Sequence, residues 1–110
     1  MPGQVEELTL TPFSHNISVN WKHPTVNDTY CVTRYVIYWV HNISGSIDSR
    51  IVGSEVYSFV IEDLDACVDY EVSVRAVNEN NENRDAVTGN TRTRAVGNYQ
   101  AQIMILYLCG

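Results

Sequence analysis

An all-β fold, a seven-stranded antiparallel sandwich, is what this sequence predicts, and three observations predict it. Apolar and polar residues alternate with period two along most of the chain, which sends successive side chains to opposite faces of a strand. No long window carries the periodicity of an amphipathic helix. Turn-forming residues separate the alternating runs at short intervals, the spacing of an antiparallel sandwich rather than of strands interleaved with helices.

The first strand carries Leu8 and Leu10 between Thr9 and Thr11, and Pro12 ends or bends it. Ile17, Val19 and Trp21 alternate with Ser18 and Asn20 in the second, which closes before Pro24. Tyr35 to Val40 is apolar on both parities, as a central strand covered on both sides should be. Ser44-Gly45-Ser46 breaks the chain, and Ile47 to Val52 gives a weaker fourth strand. Tyr57, Phe59 and Ile61 form the fifth and run into Leu64. In the sixth, Tyr70, Val72, Val74 and Ala76 face one way while Glu71, Ser73 and Arg75 face the other. Asn78 to Asp85 is polar, and Ala86 to Thr93 forms the last strand. The aromatic set Trp21, Tyr35, Trp39, Phe59 and Tyr70 therefore reads as core, so Trp21→Ala should unfold the chain rather than remove a ligand contact.

Composition narrows the function. The chain has 110 residues, enough for one domain with its own core. Seven basic against 13 acidic residues give a net charge of −6, which argues against nucleic acid and against an anionic membrane surface as partners. A hydrophobic fraction of 45% excludes wholesale disorder. Three asparagines occupy glycosylation sequons, Asn16-Ile-Ser18, Asn27-Asp-Thr29 and Asn42-Ile-Ser44, all at strand edges or in loops. Asn27 and Asn42 should be modified, and Asn16, beside the strand of Trp21, less efficiently. The three cysteines, Cys31, Cys67 and Cys109, lack metal or redox spacing. These features favour an extracellular origin. Met1-Pro2-Gly3 does not open a signal peptide, so the expectation is a fragment of a longer protein.

No catalytic constellation emerges, and no cofactor or metal is expected. His15, His23 and His41 are scattered over loops and strand ends and read as surface residues, whereas metal or nucleophilic chemistry needs converging ligands. Glu62, Asp63 and Asp65 read as a solvated acidic turn, short of the oxygen ligands a calcium loop needs. A glycine-rich phosphate loop and a basic stripe are both missing.

Several of these motifs together resemble the fibronectin type III domain, of the kind found in tandem in receptor tyrosine phosphatases and cell-adhesion receptors. The resemblance covers residues 4–94: Pro2-Gly3 with Val5, Trp21 with Pro24, Tyr35-x-Ile37-x-Trp39, and Leu64 with Tyr70-x-Val72-x-Val74-x-Ala76. It implies an immunoglobulin-like topology with a tyrosine corner, in which Leu64 plugs the base of the core and the Tyr70 hydroxyl reaches a backbone group. Ala66 stands where the family often has proline. The implied function is a non-catalytic binding or spacer module of a cell-surface receptor or adhesion protein, with neighbouring repeats or a protein ligand as partners and no membrane contact of its own. The alternatives are an accessory domain of a secreted enzyme and a free-standing secreted binding protein.

Ligand contacts in such domains lie on loops corresponding to Thr25–Tyr30 and Asn78–Asp85. Neither loop holds an Arg-Gly-Asp tripeptide, and no Trp-Ser-x-Trp-Ser run marks a membrane-proximal cytokine-receptor domain. In this topology Cys31 and Cys67 start antiparallel neighbours and should lie at opposite poles, too far apart to bond within one domain. Three outcomes stay open for the cysteines: Cys67 staples to a Cys31-like residue in a following domain, it pairs with Cys109, or the thiols stay unpaired. Residues 95–110 fall outside the resemblance. Their apolar run Ile103–Cys109 is too short to span a bilayer, and it reads as a truncated membrane segment, an extra strand or foreign sequence.

Overall fold

A computed structural model describes residues 5–24, 32–78 and 86–95. Within them the chain forms β1 (Glu6–Pro12), β2 (Ile17–Lys22), β3 (Val32–His41), β4 (Ile47–Gly53), β5 (Ser58–Ile61), β6 (Asp69–Asn78) and β7 (Val87–Arg92). The strands build two antiparallel sheets, one in the order β1-β2-β5 and the other β4-β3-β6-β7. This is the seven-stranded, all-β sandwich that the alternation predicts.

Register follows from which parity is apolar. Ile17, Val19 and Trp21 of β2 point inward, as do Tyr35, Ile37 and Trp39 of β3 and Tyr70, Val72, Val74 and Ala76 of β6; all are buried. β3 and β6 are the two long central strands of the larger sheet, and Tyr35 lies opposite Ala76, Ile37 opposite Val74 and Trp39 opposite Val72. Three large side chains thus alternate with smaller partners, the packing that fills a two-layer core without voids. Trp21 and Tyr35 meet at 5.5 Å between ring centres, and Trp39 stacks on Phe59 at 6.2 Å. Burial pushes the Tyr35 hydroxyl up to about 12, because its phenolate would form where water cannot reach it.

Four outermost strands remain, and they differ in finish. β1 is an edge strand, which is why Pro12 at its end costs no ladder bond within the sheet. A bulge between Glu6 and Thr9 kinks it, with Glu7 in the left-handed region at φ 52°. Beyond β7, the chain is stitched to the end of β1. The Arg94 N–H donates to the Phe13 carbonyl at 2.9 Å, Arg94 Nε to the Pro12 carbonyl at 3.1 Å, and Ser14 Oγ to the Ala95 carbonyl at 2.9 Å.

Candidate functional site

Two places gather side chains that could do more than pack. One is the pole where β3 ends and β6 begins. Leu64 is buried, and the Tyr70 hydroxyl accepts the Asp65 N–H at 2.9 Å, so the ring closes the turn between β5 and β6. Burial pushes the Tyr70 hydroxyl above its ordinary value, against the opposing effect of that backbone bond. Thr93, also buried, donates its hydroxyl to the Asp65 carbonyl and accepts the Val68 N–H at 3.0 Å. Asp63 and Cys67 adopt left-handed backbone, at φ 59° and 58°, and these bonds on either side hold them there.

The histidines need a correction. His41 is not a surface residue: its side chain is 16% exposed, its Nε2 lies 2.8 Å from Asp65, and its ring meets Tyr70 edge-on at 5.2 Å. His15 keeps an exposed ring but directs Nδ1 at the Leu64 carbonyl, 2.9 Å away, while the Leu64 N–H donates to its own carbonyl. Both histidines therefore brace the tyrosine corner from opposite sheets. His23 bonds only the adjacent Pro24 carbonyl. Sequence spacing alone could not join residues 15, 41 and 65, because nothing local relates them. Among the described residues, no group of three His, Cys, Asp or Glu side chains could hold a metal.

Cys67 is disulfide-bonded within the single chain. Of the three outcomes left open for Cys67, an unpaired thiol is thereby excluded in this chain. Cys31 and Cys109 lie outside the described residues. Val32, which opens β3, pairs with Asn78 at the far end of β6, ~26 Å from Tyr70 at ~3.3 Å per strand residue. Of the sequons, Asn42 is exposed on the turn after β3, its backbone N–H held by the Asp69 carbonyl, and Asn16 is half-buried before β2. Asn27 lies outside the described residues. The loop expectations fall there too, apart from Asn78, which ends β6 as a buried residue.

The second place is a groove of about 380 Å³ along the side where β4 and β5 fail to meet. Its floor is the Trp39–Phe59 stack, and its walls carry Asp48 and Arg50 from β4 and Glu62 and Asp63 after β5. Three carboxylates and one guanidinium over an aromatic floor make a polar docking cleft, selective for basic groups by charge. Among these lining residues no nucleophile is paired with a base.

A two-sheet sandwich closed by a tyrosine corner, with polar clefts and no convergent reactive groups among the described residues, defines an immunoglobulin-like interaction module. A family model for the fibronectin type III domain matches residues 3–90, and the chain belongs to that family, whose members are generally non-catalytic protein-interaction modules found mostly in extracellular regions. The chain is similar in fold to a human collagen XX fibronectin type III domain, with a TM-score of 0.72 at 21% identity over 84% of this chain and 92% of that one. A two-domain fibronectin type III segment of chicken tenascin gives 0.73 at 23% identity, covering 84% of this chain and 50% of that segment. A computationally redesigned β-sandwich gives 0.71 at 14% identity, with 86% and 93% covered. No curated protein sequence matches the chain.

Proposed function

We propose that residues 4–94 form a non-catalytic binding and spacer module in the ectodomain of a cell-surface receptor or adhesion protein, with neighbouring repeats or a protein ligand as partners. The observation that carries this reading is the pole at the end of β3. It combines a disulfide-bonded Cys67 with an exposed sequon asparagine, Asn42, on a turn with room for a glycan. Disulfides persist in oxidising compartments, and N-glycans are added only on the secretory route. Membership in a family of interaction modules supports the binding half of the reading. The acidic balance of the chain favours protein partners over nucleic acid.

Secretion from a eukaryotic cell, followed by intact-mass measurement with and without glycosidase, tests it. Glycan mass should appear on Asn42 and Asn27, with Asn16 less occupied, and Asn42→Gln should remove one glycan equivalent. Secreted material whose mass the glycosidase leaves unchanged would defeat the extracellular assignment.

A further inference from the structure

The four-stranded sheet ends at β4, and this edge is unlike the rest of the surface. Ile47 and Ile51 project from its outer face, 69% and 66% exposed, beside Val40 and Val36 of β3. Further across the same face, β6 and β7 are polar, with Glu71 opposite Asn90 and Ser73 hydrogen-bonded to Thr88 at 2.9 Å. The apolar stripe is therefore confined to the free edge. Among the described residues nothing pairs with the outer side of β4.

The backbone of that side can be read from its bonds. The Ser49 N–H is taken by its neighbour Asp48 at 2.8 Å, and the Ser49 carbonyl by Arg50 at 3.2 Å. Neither group is in the ladder with β3, so both point outward. The alternation of an antiparallel ladder gives Ile47 and Ile51 the same outward N–H and C=O groups.

The sequence of this edge, Ile47-Asp48-Ser49-Arg50-Ile51, reads the same in chemistry from either end once one charge is matched with its opposite. We propose that a second copy of this chain docks on it, β4 against β4 about a two-fold axis through Ser49. In that register each Ser49 bonds the partner's Ser49 through the outward N–H and C=O, and Ile47 and Ile51 take the partner's Ile51 and Ile47. Asp48 lies directly opposite the partner's Arg50, and Arg50 opposite the partner's Asp48. Every outward backbone group named above then meets another, and both faces are matched: two isoleucine pairs outside, two ion pairs inside. The two ion pairs form where the groove already holds Glu62 and Asp63 to receive the partner's guanidinium. The local caps on Ser49 are exposed side-chain bonds of little strength, and they are exchanged for cross-strand ones. The product is one eight-stranded sheet, an isologous and closed pairing.

Analytical ultracentrifugation of the full 110-residue chain, over a dilution series, decides the matter. The mass should rise reversibly from 12.4 kDa towards twice that value with concentration, and amide exchange at Ile47, Ser49 and Ile51 should slow in parallel. Ser49→Pro removes an N–H that β3 does not use, so the fold survives and the dimer is lost. Asp48→Arg alone and Arg50→Asp alone each set like charges opposite one another and should weaken association about tenfold or more. Mixing those two variants restores complementarity at both pairs and should restore the dimer as a heterodimer. A chain that stays monomeric throughout overturns the proposal, and if its β4 amides are nevertheless protected, another segment of the chain fills the edge. A dimer that persists in Ser49→Pro, that fails to return on mixing, or that dissolves only with thiol reductant overturns it equally.

Discussion

The two open sides of the sandwich are clefts of nearly equal size finished in different ways. Along β1 and β7, a depression of about 370 Å³ is lined by Leu8, Leu10 and Val87, and there the backbones come close because β7 carries a glycine. A Cβ built on Gly89 would stand 3.0 Å from Leu10 Cδ1. Along β4 and β5 the cleft is about 380 Å³, but an aromatic stack forms its floor and charges line its walls. The first side spends its apolar residues on sealing the two sheets together. The second keeps a hydrogen-bonding edge and puts its isoleucines on the outer face. A sandwich too small to wrap both sides has sealed one with apolar contacts and left the other open and charged.

Three substitutions would break or sharpen that contrast. The largest effect should come from Trp39→Ala, which removes the floor of the charged cleft and half of the stack with Phe59. A loss of ~3–5 kcal/mol in the denaturant-derived stability is expected, and a loss below ~1 kcal/mol would mean the floor is not part of the core. Leu10→Ala should cost ~2 kcal/mol, the low end for a leucine because Leu10 is only partly buried. Gly89→Ala should have the smallest effect, under ~1 kcal/mol destabilising, as Leu10 shifts a few tenths of an ångström to admit the methyl. Combining the last two is the sharper measurement. With Leu10 shortened the methyl has room, so the double variant should be more stable than the sum of the single losses implies. Strict additivity would show that the two residues do not touch.

The sequence made the strands legible but not their neighbours. Period-two alternation in β2 and β6 identifies the inward parity because one face is wholly apolar, and the Leu64-to-Tyr70 spacing marks the corner that the hydroxyl closes on Asp65. β4 shows the limit of what alternation encodes. Ile47 and Ile51 alternate with charges as a half-buried strand should, yet their apolar parity faces water. Alternation says that two faces differ, not which one meets the core. That depends on lateral position in the sheet, and β4 overhangs a second sheet that ends at β5. The histidines failed to be legible for a related reason. His41 and Asp65 come together only because β3 and β6 pair in one register, with His41 opposite Tyr70. Isolated polar residues carry no periodicity from which such a pairing could be read.

The stitch between the end of β1 and the chain beyond β7 has a mechanical consequence. Val5 leads into β1 at one pole, and Ala95 follows β7 at the other. Tension applied between these two points, as in a tethered string of domains, draws β1 toward one pole and residues 93–95 toward the other. The bonds from Arg94 to Phe13 and Pro12, and from Ser14 to Ala95, lie across that line of pull. They are loaded together, in shear, and must slip as a group instead of opening one after another. The Thr93 N–H, bonded to the Val68 carbonyl at 3.0 Å, carries part of the same load into the tyrosine corner. The pole braced by Leu64, Tyr70 and the two histidines thus takes up that load.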